Sequence, residues 1–171
     1  SLLSMLPLTY QQYISNRLIS WSHQTNDEGL LRILLDKGSS RLRQEEPGAW
    51  IQILKEWGAS EGKESQRTML FAILSLLQNP AFENLPPLFD MTAIALKSHP
   101  QALQQELIAV ITRLKERSPS ECAYFLRQII RLGVSDATAR LLRKIITLFD
   151  EPVRSSLLAE WRSGTEQPSH N

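Results

Sequence analysis

Residues 68–96 read TMLFAILSLLQNPAFENLPPLFDMTAIAL, and this is the most apolar part of the chain. Only Glu83 and Asp90 carry a charge in it. Breaks at Asn79-Pro80 and at Pro86-Pro87 divide it into two apolar runs. Each run fits a helix that is apolar on nearly all sides, and such a helix must be covered by neighbours on several faces. Crossing a bilayer takes about 20 apolar residues, and neither run reaches that. The stretch is therefore read as the buried centre of an all-helical domain.

Outward from this centre, apolar residues keep helical spacing and Pro and Gly punctuate. A first helix is predicted over about Pro7 to His23, with a stripe of Leu8, Tyr10, Ile14, Leu18 and Trp21. Thr25 followed by Glu28 reads as a capping box opening a second helix, which Gly38 is expected to end. A polar connector, SSRLRQEE, follows. Pro47 opens a third helix with Trp50, Ile53, Leu54 and Trp57 on one face, and Gly58 is expected to stop it. The fourth and fifth helices are the two central runs, from about Glu64 to Gln78 and from Pro86 or Pro87 to His99. A sixth spans about Pro100 to Arg117. A seventh starts at Pro119 behind Ser118 and ends at Gly133, and an eighth is capped by Ser135. A ninth begins at Pro152, with Val153, Leu157, Leu158 and Trp161 as its stripe. No segment alternates with period two, so no strand is expected.

Three of the helix starts, Pro86, Pro119 and Pro152, are 33 residues apart. Leu107, Ile108, Ile111 and Leu114 correspond to Leu141, Leu142, Ile145 and Leu148 at an offset of 34. Leu70, Leu74 and Leu77 match Leu107, Ile111 and Leu114 at an offset of 37. Helix pairs recurring at this period are the mark of stacked repeats that cannot bury their apolar faces alone. On these residues the chain resembles HEAT- and armadillo-like helical-repeat proteins. The resemblance implies an all-α, right-handed α-solenoid-like stack of about four helix pairs plus a terminal helix. It would occupy residues 1–162 as one domain, with 163–171 a disordered tail. A non-repeating helical bundle is the alternative.

Signals of catalysis are sparse. His23, His99 and His170 are isolated, and the chain has no His-x-x-x-His or Cys-x-x-Cys spacing. The single cysteine, Cys122, sits among Phe125, Leu126 and Ile129, which suits a core position better than a reactive thiol. Gly58 and Gly62 flank a polar turn that lacks the spacing of a phosphate loop. The four tryptophans fall on apolar stripes and read as core. No catalytic residue, cofactor, metal or small-molecule substrate is nominated. The opening SLLSMLPL lacks the basic flank of a signal peptide. A start at Ser1 without methionine suggests a processed chain or a fragment of a larger protein. One cysteine fits a reducing compartment, so the expected place is inside the cell, in the cytoplasm or nucleus.

The net charge of +1 is unevenly spread. From Arg113 to Lys144 eight basic residues face three acidic ones, whereas residues 27–64 hold eight acidic and six basic. On helical projection Arg140, Arg143 and Lys144 group opposite the apolar stripe of the eighth helix. Arg127, Arg131 and Tyr124 do so on the seventh. These six residues form the candidate partner-binding face. The expected function is a non-enzymatic protein–protein interaction scaffold or adaptor. The alternative is a face that holds a nucleic-acid backbone through its phosphates, which the small net charge disfavours.

Overall fold

The computed structural model describes residues 6–25 and 27–165. Among the described residues there are nine α-helices and no strand: α1 Leu6–Gln24, α2 Glu28–Glu45, α3 Pro47–Ala59, α4 Lys63–Gln78, α5 Pro86–Ser98, α6 Gln104–Arg117, α7 Pro119–Arg131, α8 Asp136–Ile146 and α9 Val153–Thr165. The fold is all-α. The chain divides into two compact units, Ser1–Glu83 with α1–α4 and Asn84–Asn171 with α5–α9.

In the first unit α4 packs against α1, α2 and α3. Its residues Met69 to Leu74, with Leu76 and Leu77, are all buried, as expected for a helix apolar all round. Polar ties cross the apolar contacts where buried groups need partners. The Trp57 indole N–H donates to Ser15 Oγ at 3.1 Å, linking α3 to α1. Thr68 Oγ1 lies 2.8 Å from Ser22 Oγ, linking α4 to α1. Gln66 Nε2 donates to the carbonyls of Gly58 and Ser60 and so closes the turn between α3 and α4.

Two expectations for the second helix are corrected. Its N-cap is Asp27, not Thr25: Asp27 has extended backbone and its Oδ1 accepts from the Leu30 N–H at 3.0 Å. Thr25 Oγ1 accepts instead from the Asp27 N–H. The helix also runs through Gly38 to Glu45, so the expected connector SSRLRQEE is helical in all but its last residue, Glu46. Gly38 is there for closeness. A Cβ at this position would lie 2.6 Å from Cδ2 of Leu18, so glycine lets α1 approach α2. The stripe Leu31, Leu35, Ser39, Leu42 continues past it on the buried face. Gly38→Leu should therefore cost about 1–3 kcal/mol through overpacking. An unchanged urea midpoint would contradict this account of the glycine.

The third helix also passes its expected stop, continuing through buried Gly58 to Ala59. Of the tryptophans, Trp50 and Trp57 are core and stack edge to face, with centroids 5.6 Å apart. Trp21 is 40% exposed, against expectation. Leu18 and Ser22 already occupy the buried line of α1, and Trp21 falls on its flank beside Arg17, whose guanidinium lies between the rings of Tyr13 and Trp21. Leu8 and Tyr10, expected on the α1 stripe, fall outside the residues whose side chains are described.

In the second unit the helices pack in alternation. α7 lies against α5 and α9, while α8 lies against α6, and α5·α6, α6·α7 and α8·α9 contacts join the two rows. Of the positions matched at an offset of 34, Leu107 and Leu141 are both buried, as are Ile111 and Ile145, whereas Ile108 is half-buried against buried Leu142, and Leu148 is half-buried against buried Leu114. The expected sixth helix loses its first turn, because residues 100–103 form a turn and α6 begins at Gln104. Ser118 holds the N-cap place before Pro119 but makes no side-chain cap bond. Ser135 does cap α8, accepting from the Thr138 N–H at 3.2 Å. α7 ends in a turn in which Gly133 has φ +77, a left-handed conformation suited to glycine. Lys115 reaches from α6 to the end of α8, donating to the Leu148 carbonyl at 2.6 Å. Cys122 is fully buried, as expected, and burial pushes its thiol up to about 12. α9 continues to Thr165, so residues 163–165 of the expected tail are helical. Residues 166–171 lie outside the described residues.

Candidate interaction site

The six residues nominated from sequence all lie in the second unit, and packing divides them. On α7, Tyr124, Arg127 and Arg131 follow i, i+3, i+7 and share a face. That face reaches α9. Arg127 Nη2 donates to Ser156 Oγ at 3.1 Å. Arg131 grips Glu160 with two bonds, Nε to Oε1 at 2.6 Å and Nη2 to Oε2 at 3.1 Å. Ser156 and Glu160 are themselves four apart on α9, so the two arginines meet one row of the partner helix. The hydrogen bond from Arg131 holds the Glu160 carboxyl below its usual range, and the same bond raises Arg131. Tyr124 stands 61% exposed at the outer end of the row.

On α8 the three cations diverge. Lys144 Nζ turns to α6 and donates to Gln104 Oε1 at 3.1 Å. Arg143 turns to α9, its guanidinium 5.7 Å from the centre of the Trp161 ring. Arg140 is exposed between them. A single continuous row of free cations is thus absent from these residues. What the fold brings together is narrower: Arg143, with Arg140 one turn away, beside the end of α7.

There a pocket of about 290 Å³ opens between α8, α9 and the α7–α8 turn. Ile130, Val134 and Ala139 give it apolar walls, Trp161 and Arg143 stand on one side, and Asp136 is its acidic group. Gly133 lines it too, and its positive φ turns the chain from α7 into α8. Chemically this is an open cleft of mixed lining, with apolar side chains, the Asp136 carboxylate, and a cation held against an indole face at its edge. A cation so placed is presented in a fixed direction. An apolar side chain next to a carboxylate matches both features. Sequence reading found Arg143 but assigned Trp161 to core packing. Periodicity places a residue on a face and cannot show that a pocket opens beside it.

Among the described residues no three or more His, Cys, Asp or Glu side chains gather as a metal site. No helix among them is long and apolar enough to cross a membrane. No family model, no curated protein and no solved structure matches this chain.

Proposed function

We propose that the chain is a non-catalytic protein–protein interaction module of the helical-repeat kind. On this reading the pocket between α8 and α9 receives an acidic segment of a partner. The alternating packing of α5 to α9 supports the repeat reading. The observation that carries the binding reading is the Arg143 guanidinium held over Trp161 at the edge of a pocket with Ile130, Val134 and Ala139 in its wall. The partner segment would place an apolar side chain between Ile130, Val134 and Trp161, and a carboxylate beside Arg143 and Arg140. Charge of this kind sets orientation and on-rate, while the apolar anchor supplies most of the affinity. The lone cysteine fits a reducing setting, and we place the module inside the cell, in the cytoplasm or nucleus.

The test is fluorescence anisotropy with a labelled peptide alternating Glu with Leu and Phe, against the same peptide with Lys for Glu. The acidic peptide should bind in a salt-dependent way, and Arg143→Glu should weaken it about tenfold or more. Equal binding by the variant, or by the lysine peptide, would remove the pocket from the account. The second reading, a phosphate backbone held by the same cations, is met in the same assay with duplex and single-stranded oligonucleotides. Binding that falls steeply with salt and is lost on changing Arg140, Arg143 and Lys144 to Glu would favour it. The engagement of Arg131 by Glu160 and the net charge of +1 favour the protein partner.

A further inference from the structure

The cleft between α8, α9 and the α7–α8 turn holds two opposite charges that do not meet. Asp136, Ala139 and Arg143 follow i, i+3, i+7 on α8, so they share one face, and all three line the cleft. Asp136 is exposed, and its carboxylate makes no hydrogen bond or ion pair among the described residues. Arg143 is exposed too. Its guanidinium stacks on Trp161 and pairs with no carboxylate among the described residues. The reason the two stay apart is their spacing. Helix neighbours are three or four residues apart, whereas seven residues put the two α-carbons about 10 Å apart along the axis.

Between the two charges the lining is apolar. Ala139 is small and leaves room, and Ile130 and Val134 supply wall from the end of α7 and the turn that follows. A ligand matched to this cleft brings three things at once: a cation for Asp136, an anion for Arg143 and an apolar body. A plain carboxylate or phosphate answers Arg143 but is repelled by Asp136. A plain amine answers Asp136 but is repelled by Arg143. A volume of about 290 Å³ stands at the small end of the ~300–1,000 Å³ typical of small-molecule sites, which suits one small molecule with its charges close together.

We propose that this cleft is a binding site for a free α-amino acid with a large apolar side chain. The ammonium lies at the Asp136 carboxylate, the carboxylate accepts from the Arg143 guanidinium, and the side chain lies against Ile130 and Val134. Both protein charges face water, so each ionic contact contributes modestly, and burial of the apolar side chain supplies the rest. The cleft is the one read above as receiving a partner's acidic segment. Competition between amino acid and segment rests on that reading, whereas the amino-acid site stands on Asp136, which that reading does not use.

The experiment is a titration of the full chain with L-phenylalanine, without peptide, followed by the Trp161 indole resonance in proton–nitrogen correlation spectra. Phenylalaninamide lacks the carboxylate and 3-phenylpropionate lacks the ammonium, and both serve as controls at about pH 6.5, where α-amino groups are charged. Saturable movement of the Trp161 resonance is expected with phenylalanine, and each control should bind about fivefold more weakly. Arg143→Gln should erase the preference over phenylalaninamide and keep the preference over 3-phenylpropionate. Asp136→Asn should do the reverse. The backbone amide resonances of each variant report that the fold persists. No saturable movement of Trp161, equal binding of all three compounds, or variants that weaken all three alike would overturn the proposal. Each of those results leaves the partner reading to its own peptide assay, and failure of the peptide to bind leaves this titration unaffected.

Discussion

Ile73→Ala should lower the thermal midpoint by on the order of 10 °C. Ile73 is fully buried on α4, the helix against which α1, α2 and α3 all pack. Removing its outer carbons loses their transfer energy and leaves a cavity that rigid neighbours fill only in part, at a cost of about 2–5 kcal/mol. A domain of this size holds only about 5–15 kcal/mol in total. The matched control is Ile33→Ala on α2, where the side chain is 60% exposed and the change should stay within about 0.5 kcal/mol. Differential scanning calorimetry of the two variants decides the matter. Similar midpoints for both would mean that α4 is not the centre of the first unit.

Alkaline pH should destabilise the protein through Cys122, by up to about 4 kcal/mol. The thiol is fully buried on α7, and burial raises it from an ordinary value near 9 to about 12. An unfolded chain therefore releases the proton first. The stability carried by the neutral thiol is complete below about pH 9 and is lost as pH rises toward 12, at about 1.4 kcal/mol per pH unit. Lysines and tyrosines titrate in the same window, so the comparison must be with Cys122→Ala. Urea midpoints from pH 8 to 11 should fall more steeply for the natural chain than for the variant, whatever their difference at pH 8. Parallel lines would show that the thiol is open to water in the folded state.

The legibility of this chain differs from element to element for physical reasons. Helix positions were readable because the apolar period is local, and Pro47, Pro86 and Pro119 each stand at the first turn of their helices. The cap at Ser135 was readable because the bond it makes spans only three residues. Gly38 was misread because its reason is not local. Glycine commonly ends helices, but here it answers the nearness of Leu18 on another helix. Trp21 was misread in the opposite sense, since spacing near the stripe does not decide which flank a neighbour covers. The cations on α7 and α8 were found by composition and projection. Their pairing with Ser156, Glu160, Gln104 and Trp161 depends on partners 29 and 40 residues away or on another helix altogether.

By itself the order of residues determined that the chain is all-α, where most helices begin, and which positions, such as Leu107, Ile111, Leu141 and Ile145, turn inward. Each of these follows from interactions within a few residues or from a period that the backbone imposes. Tertiary structure alone decided that Arg131 is paired with Glu160 and that Arg143 meets Trp161 beside a pocket. These depend on which helix faces are brought together, and that is set by packing the apolar surfaces of several helices at once. Side chains on the rim of that packing take whatever neighbours it delivers.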